Sequence, residues 1–308
     1  MLKYMPEVCE IVMTSHYLTK KLKGRYITNA KVISGRYLHQ KIQGFEMIND
    51  NVPLKIKSIN TKGKFLWFEL YNENKKNTIY LMNTFGMTGS WNFTKDPNNR
   101  VQFTVQNKDK TKEYQLFYTD ARNFGTIKIT DNYDELSKKL NKLGRDLLKT
   151  EFTDDEFVSW VRNYKDKNKE IVKVLMTQEN NKGLGSGLGN YLAPEILYRA
   201  KISPFRKIGS LSKEELYELS KSIKYILKLC YTNNKIGYME QFKNFIDKHR
   251  LAISKNEFPE YHKDTFIDDN IEFAFSVYQK STDPLGNPVK TDTIIKDRTT
   301  HWVPNIQK

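Results

Sequence analysis

The chain has 308 residues, enough for about two domains with separate cores, and carries 51 Lys and Arg against 36 Asp and Glu, a formal charge of +15. Such a surplus attracts polyanions, nucleic acid first and an anionic membrane second. Two cysteines and five scattered histidines argue against a disulfide framework and rule out a four-cysteine zinc site, and no apolar run or leader points to a membrane or to export, so a soluble intracellular protein is expected.

In chain order, Glu7 to Leu22 reads as an amphipathic helix, with Val8, Ile11, Val12, Leu18 and Leu22 in one stripe, Pro6 at its first position and Gly24 as its stop. From Tyr26 to about Thr130 the pattern turns to alternation, as in Val101, Phe103, Val105 and in Tyr114, Leu116, Tyr118. Sequential strands with short polar turns predict an antiparallel sandwich or barrel. Residues 132–150 form a charged, partly helical linker. Thr153-Asp-Asp-Glu156 and Ser212-Lys-Glu-Glu215 are capping boxes that open helices, the second followed by Leu216, Leu219, Ile223, Leu227 and Cys230 at helical spacing. The second half is therefore mainly α.

Its centre is Gly183-Leu-Gly-Ser-Gly-Leu-Gly-Asn190, between a helical run at Glu170 to Thr177 and a second one carrying Leu192, Ile196 and Ala200. Glycines allow close approach, and a helix start offers unpaired N–H groups, so the turn reads as an anion cradle suited to phosphate. A glycine-rich connector between core helices is the plainer alternative. A dinucleotide fold lacks the preceding strand, and a P-loop lacks its Gly-Lys-Ser/Thr ending. Pro194 requires either that the helix begin later than Asn190 or that it lose one hydrogen bond. Tyr231 to Asp269 reads as loop with short helices. Phe275–Lys280 and Thr299–Trp302 are strand-like, separated by a turn signal at Asp283–Asn287.

Gly-Leu-Gly-Asn190-Tyr, followed by Glu-Ile-Leu-Tyr-Arg-Ala-Lys-Ile-Ser-Pro204, resembles the helix-two-turn-helix of the formamidopyrimidine-DNA glycosylase/endonuclease VIII (Fpg/Nei) family. Met5-Pro6-Glu7 resembles the family's opening, whose methionine is removed to leave a terminal proline. The resemblance implies that Pro6 is the nucleophile and Glu7 the acid that protonates the sugar ring oxygen. Met1-Leu-Lys-Tyr4 precede this motif, and an internal proline nitrogen has no nucleophilic lone pair, so a mature chain beginning at Pro6 is expected.

Further motifs extend the likeness. Thr61-Lys-Gly-Lys64 resembles the hairpin that brings a lysine to the DNA backbone, with Lys64 chosen over Lys62. Asn83-Thr-Phe-Gly-Met87 and Asp120-Ala-Arg122-Asn-Phe124 resemble the segments whose residues, here Met87, Arg122 and Phe124, fill the gap left by a flipped nucleotide. Asn190 and Arg298 take the family's phosphate-binding positions. The terminal hairpin resembles a zinc finger in which Leu285, Pro288, Val303 and Ile306 replace the cysteines. This resembles the family's zincless Nei-like branch, known from an animal enzyme and viral relatives, with apolar packing in place of the metal.

The fold class implied is α+β: a leading helix and β-sandwich domain (1–131), the linker, a helix-two-turn-helix domain (151–270) and a zincless hairpin (271–308). The function implied is a monomeric, cofactor-free DNA glycosylase and abasic-site lyase acting on damaged double- or single-stranded DNA, with no membrane partner. Oxidised pyrimidines are its expected substrates. The alternatives are oxidised purines, or damaged-DNA binding without catalysis if Pro6 stays internal.

Overall fold

The computed structural model describes residues 5–234, 243–295 and 298–308, with the backbone alone at 243–248 and 295. Met1–Tyr4, on which the expected processing rests, and part of the irregular stretch after Tyr231 lie outside the described residues. The described residues divide into two compact units: 10–141 with Met5 and Pro6, and the part from residue 142 onward with Glu7–Cys9.

The first unit takes most of helix α1 (Val8–Leu22) and the strands β1 (Tyr26–Val32), β2 (Leu54–Lys62), β3 (Phe65–Asn72), β4 (Asn77–Thr84), β5 (Ser90–Asn92), β6 (Asn99–Gln106), β7 (Glu113–Thr119) and β8 (Thr126–Thr130). One short helix, α2 (Glu46–Asn49), interrupts them, and α3 (Tyr133–Lys142) follows. All eight strands pair antiparallel in the order β5-β7-β6-β1-β2-β3-β4-β8. Register shifts at Ile27/Asn29, Ile56/Ser58 and Asn99/Val101 bend the ladder.

The bending folds the sheet over its own core. β5 and β3 stand five places apart in that order, about 24 Å in a flat sheet, yet the Phe68 and Trp91 rings lie 5.1 Å apart. The Trp91 indole N–H also reaches Asn83 Oδ1 on β4 at 3.0 Å. Sandwich-like packing thus comes from one continuous sheet. Ile11, Leu18 and Leu22 of α1 close the core.

The second unit contains α4 (Asp154–Arg162), α5 (Ile171–Met176), α6 (Leu192–Arg199), α7 (Lys213–Thr232), α8 (Lys243–Ser254) and the hairpin β9 (Lys290–Ile295) with β10 (Arg298–Trp302). Both capping boxes form, at Thr153/Glu156 and Ser212/Glu215. Leu216, Leu219, Ile223, Leu227 and Cys230 are buried along α7. Pro194 falls in the first turn of α6, where its missing N–H had no intrahelical partner to lose.

Two expectations need correction. Helix α1 begins at Val8, so Pro6 precedes it and is not its first helical residue. Phe275–Lys280 is not a strand; the hairpin partner of β10 is Lys290–Ile295. The physical reason is Glu195, a buried carboxylate on α6 that accepts the backbone N–H groups of Ser276, Val277 and Tyr278 at 2.9–3.0 Å. With those donors taken, the segment cannot join a ladder.

Candidate functional site

In the first unit, Lys64 stands at the tip of the β2–β3 hairpin, in a turn whose Gly63 has φ +54. The other candidate, Lys62, is engaged: its ammonium donates to the Leu140 carbonyl at 2.9 Å. Pro6 is buried.

Two loops of this unit bring Met87, Arg122 and Phe124 together. Arg122 Nη1 lies 3.5 Å from Met87 Sδ, while the Phe124 side chain is 60% exposed. Beneath them Asp120, 1% exposed, accepts the Thr88 hydroxyl on one oxygen and the Gly125 N–H on the other. The Thr88 oxygen in turn accepts the Arg122 N–H at 3.0 Å. Backbone meets backbone here: a Cβ on Gly86, at φ +63, would stand 2.5 Å from Gly125 N. Arg36 and Tyr37 also donate to the Gly125 carbonyl. The sequence motifs name the three side chains but not the Asp120 contacts that hold their loops, although Asp120 opens the quoted motif.

In the second unit the glycine turn closes on the protein itself. A Cβ on Gly187, at φ +120, would stand 2.8 Å from Val8 Cβ, and one on Gly185 would stand 2.5 Å from Leu147 Cγ. Val8 N–H donates to the Gly187 carbonyl at 3.1 Å. Tyr191 N–H, at the start of α6, donates to Glu7 Oε1 at 3.0 Å. The acceptor seated at this helix start is therefore the Glu7 carboxyl, fully buried and oriented by the turn. This changes the sequence reading, in which the glycines serve a phosphate. Their close approach serves the chain, and Asn190 is the residue that ends the turn before α6. Its side chain is half-buried, and its Oδ1 has no hydrogen-bond partner among the described residues.

Arg298 is exposed and opens β10 opposite Ile295, just before a register shift in the hairpin. The four positions that resemble cysteine ligands carry no donor atoms, so the residues present do not fit zinc. Among the described residues no group of three His, Cys, Asp or Glu could hold a metal ion. Apolar packing replaces coordination only in part. Val303 is fully buried, but Leu285 is 77% exposed and Pro288 is exposed too. Side-chain hydrogen bonds do the rest. Asp283 accepts the N–H groups of Leu285 and Asn287 and the Tyr198 hydroxyl. Gln307 accepts the Val303 N–H and donates to the Ile202 carbonyl.

Comparison with known proteins agrees with this arrangement. The formamidopyrimidine-DNA glycosylase N-terminal domain matches residues 5–127, the H2TH domain of the same family 143–241, and its C-terminal domain 266–308. A formamidopyrimidine-DNA glycosylase of Corynebacterium glutamicum is 28% identical over 232 residues, covering 72% of this chain and 77% of its own. Two crystal structures of Lactococcus lactis Fpg share the fold. One, a mutant form in complex with Fapy-dG-containing DNA, has a TM-score of 0.72 at 21% identity, covering 98% of this chain and 100% of its own. The other, bound to DNA containing an oxidised pyrimidine, has a TM-score of 0.71 at 22% identity with the same coverage. With all three of its domains present in order, the chain belongs to the formamidopyrimidine-DNA glycosylase (Fpg/Nei) family.

Proposed function

We propose that the chain is a bifunctional DNA glycosylase and abasic-site lyase of base excision repair, acting on oxidised purines of the formamidopyrimidine type. The observation that carries this is the wedge. Met87, Arg122 and the exposed Phe124 are gathered on latched loops, which is what filling the gap of an extruded nucleotide demands. The relatives' names favour purines over the pyrimidines expected from the sequence. A second reading keeps oxidised pyrimidines, because Lactococcus lactis Fpg was crystallised with such a lesion and the metal-free hairpin resembles the Nei-like branch.

In this reading Pro6 is the first residue of the active chain. Its nitrogen is then a secondary amine with a pKa near the α-amino value of about 8, partly unprotonated at neutral pH. Its attack on C1′ forms a C–N bond while the glycosidic bond breaks, and the departing base takes a proton from water. The proton released by the proline nitrogen passes to Glu7, which gives it to the ring oxygen as the sugar opens to an iminium. Loss of a C2′ proton then expels the 3′ phosphate, a second elimination expels the 5′ phosphate, and water frees the proline. Lys64, Asn190 and Arg298 hold backbone phosphates, and no cofactor takes part.

The test is borohydride trapping on duplexes containing an abasic site, 8-oxoguanine, formamidopyrimidine or thymine glycol, with protein beginning at Pro6 and protein retaining Met5. A covalent adduct is expected only with the first, fastest on the purine lesions. Equal trapping by both forms would remove Pro6 as the nucleophile. Faster trapping on thymine glycol would favour the second reading.

A further inference from the structure

We infer that the second unit carries a separate nucleotide-binding recess, built on Arg145 and Trp160, that grips a DNA strand through its phosphate. The inference rests on the DNA-binding part of the reading above and uses none of the residues assigned there.

The recess is a cavity of about 410 Å³ bounded by Arg145, Trp160, Asn163, Lys165, Asn180 and Asn181, together with the glycine backbone of the turn. That volume is in the range of small-ligand sites and suits one nucleotide. No lining residue is acidic. The carboxylates nearest in sequence have other partners. Asp146 accepts the N–H groups of Leu148 and Lys149, Asp166 accepts the Asn168 N–H, and Glu179 pairs with Lys182.

Arg145 is placed by two supports. Its carbonyl accepts the Ser186 N–H at 2.5 Å and the Ser186 hydroxyl at 3.2 Å, which ties its backbone to the glycine turn. Its guanidinium lies over the Trp160 ring, 4.2 Å from the centroid. Trp160 itself packs against Phe152 and Phe157 at 5.1 and 6.3 Å, so the platform is fixed. A guanidinium resting on an aromatic ring at that distance is steadied by cation–π attraction and gives up less rotamer freedom when it takes a further partner. Neither Arg145 nor Lys165 has a hydrogen-bond or ion-pair acceptor among the described residues. A guanidinium so steadied, lining a recess and without a protein acceptor, fits an external anion.

Phosphate is the anion this chemistry selects here. The planar fork matches a phosphodiester bidentately, the lysine adds a second charge, and the outer face of the stacked guanidinium offers a surface for a base. Asn163, Asn180 and Asn181 supply amides that accept and donate, which serves any base and selects none. Asn181, at φ +63, turns the chain sharply at the rim. The recess thus lengthens the footprint on the strand without adding sequence preference.

The experiment compares wild type with the Arg145→Gln/Lys165→Gln variant for binding to a duplex with an abasic-site analogue and to undamaged DNA, across a salt series. Each lost phosphate contact should lower the log–log salt slope by about 0.9 and weaken binding about fivefold at 0.15 M salt. Borohydride trapping at saturating DNA in low salt should be unchanged, and the melting temperature should fall only by the little that one exposed cation–π contact supplies. Arg145→Lys should restore most of the slope but not the affinity, because it keeps the charge and loses the fork. Unchanged slope and affinity in the double variant would overturn the proposal, as would poly-glutamate displacing DNA from wild type but not from the variant. If wild type gives no trapped complex at all, the glycosylase reading fails, while the slope on undamaged DNA still decides the recess.

Discussion

At the scale of single residues, the two hairpin lysines differ in position. Lys62, on β2, donates to the Leu140 carbonyl, and Lys64 sits in the turn itself, where a DNA backbone can approach. Lys64→Gln should therefore lower the salt slope of DNA binding by about 0.9 and slow base excision severalfold at 0.15 M salt. Lys62→Gln should leave the slope alone and cost about 1 kcal/mol of stability at most, the worth of one exchanged hydrogen bond. Fluorescence-anisotropy titrations across salt, with thermal melts beside them, check both. The opposite pattern would move the backbone contact to Lys62. Spacing alone does not separate these residues, because the Leu140 carbonyl that engages Lys62 is 78 positions away.

At the scale of elements, what is legible in the sequence is what is decided locally. The capping boxes at Thr153 and Ser212, the face of α7 and the alternation in β6 all depend on neighbours within a few positions. Phe275–Lys280 has the look of a strand and is none, because its backbone donors are claimed by Glu195, some eighty positions earlier. The place of the glycine turn is legible but its occupant is not, because only the folded chain shows Val8 and Glu7 seated against it. Asp120 belongs to the same class of long-range device. Its two oxygens hold two loops together, and an amide can accept for only one of them. Asp120→Asn should leave the Gly125 N–H or the Thr88 hydroxyl poorly paired, at a cost of about 1–3 kcal/mol. Base excision from duplex DNA should then fall more than strand cleavage at a preformed abasic site, where no base has to be extruded. Single-turnover rates on the two substrates measure that ratio, and an equal fall in both would reduce Asp120 to a general stabiliser.

At the scale of the whole molecule, acid should loosen this protein well before most of its carboxylates titrate. The reason is a set of buried histidines in the second unit. Burial pushes His249, held between the rings of Tyr231 and Phe258, down to about 4 from an ordinary 6.5. Burial also lowers His262, which packs edge-on to Phe152, and His301, which packs against Tyr278. Between the folded and unfolded values the unfolded chain binds protons that the folded chain refuses, so stability rises with pH there. Their contribution is complete above about pH 6.5 and is lost as pH falls toward about 4. The carboxylates act in a lower window. Glu170, held down to about 2 chiefly by the Lys207 ammonium and then by its own backbone N–H and Lys173, keeps its contribution until pH drops below the ordinary carboxylate value of 4.5. Melting temperature measured from pH 7.5 to 4.5 should therefore fall through a range that carboxylate pairing alone would leave flat. His249→Phe, which keeps the stack on Phe258 and removes the titrating group, should flatten part of that fall. A melting temperature constant to pH 5 in wild type would mean that these rings admit a proton in the folded state, and that the packing around them yields more readily than their burial implies.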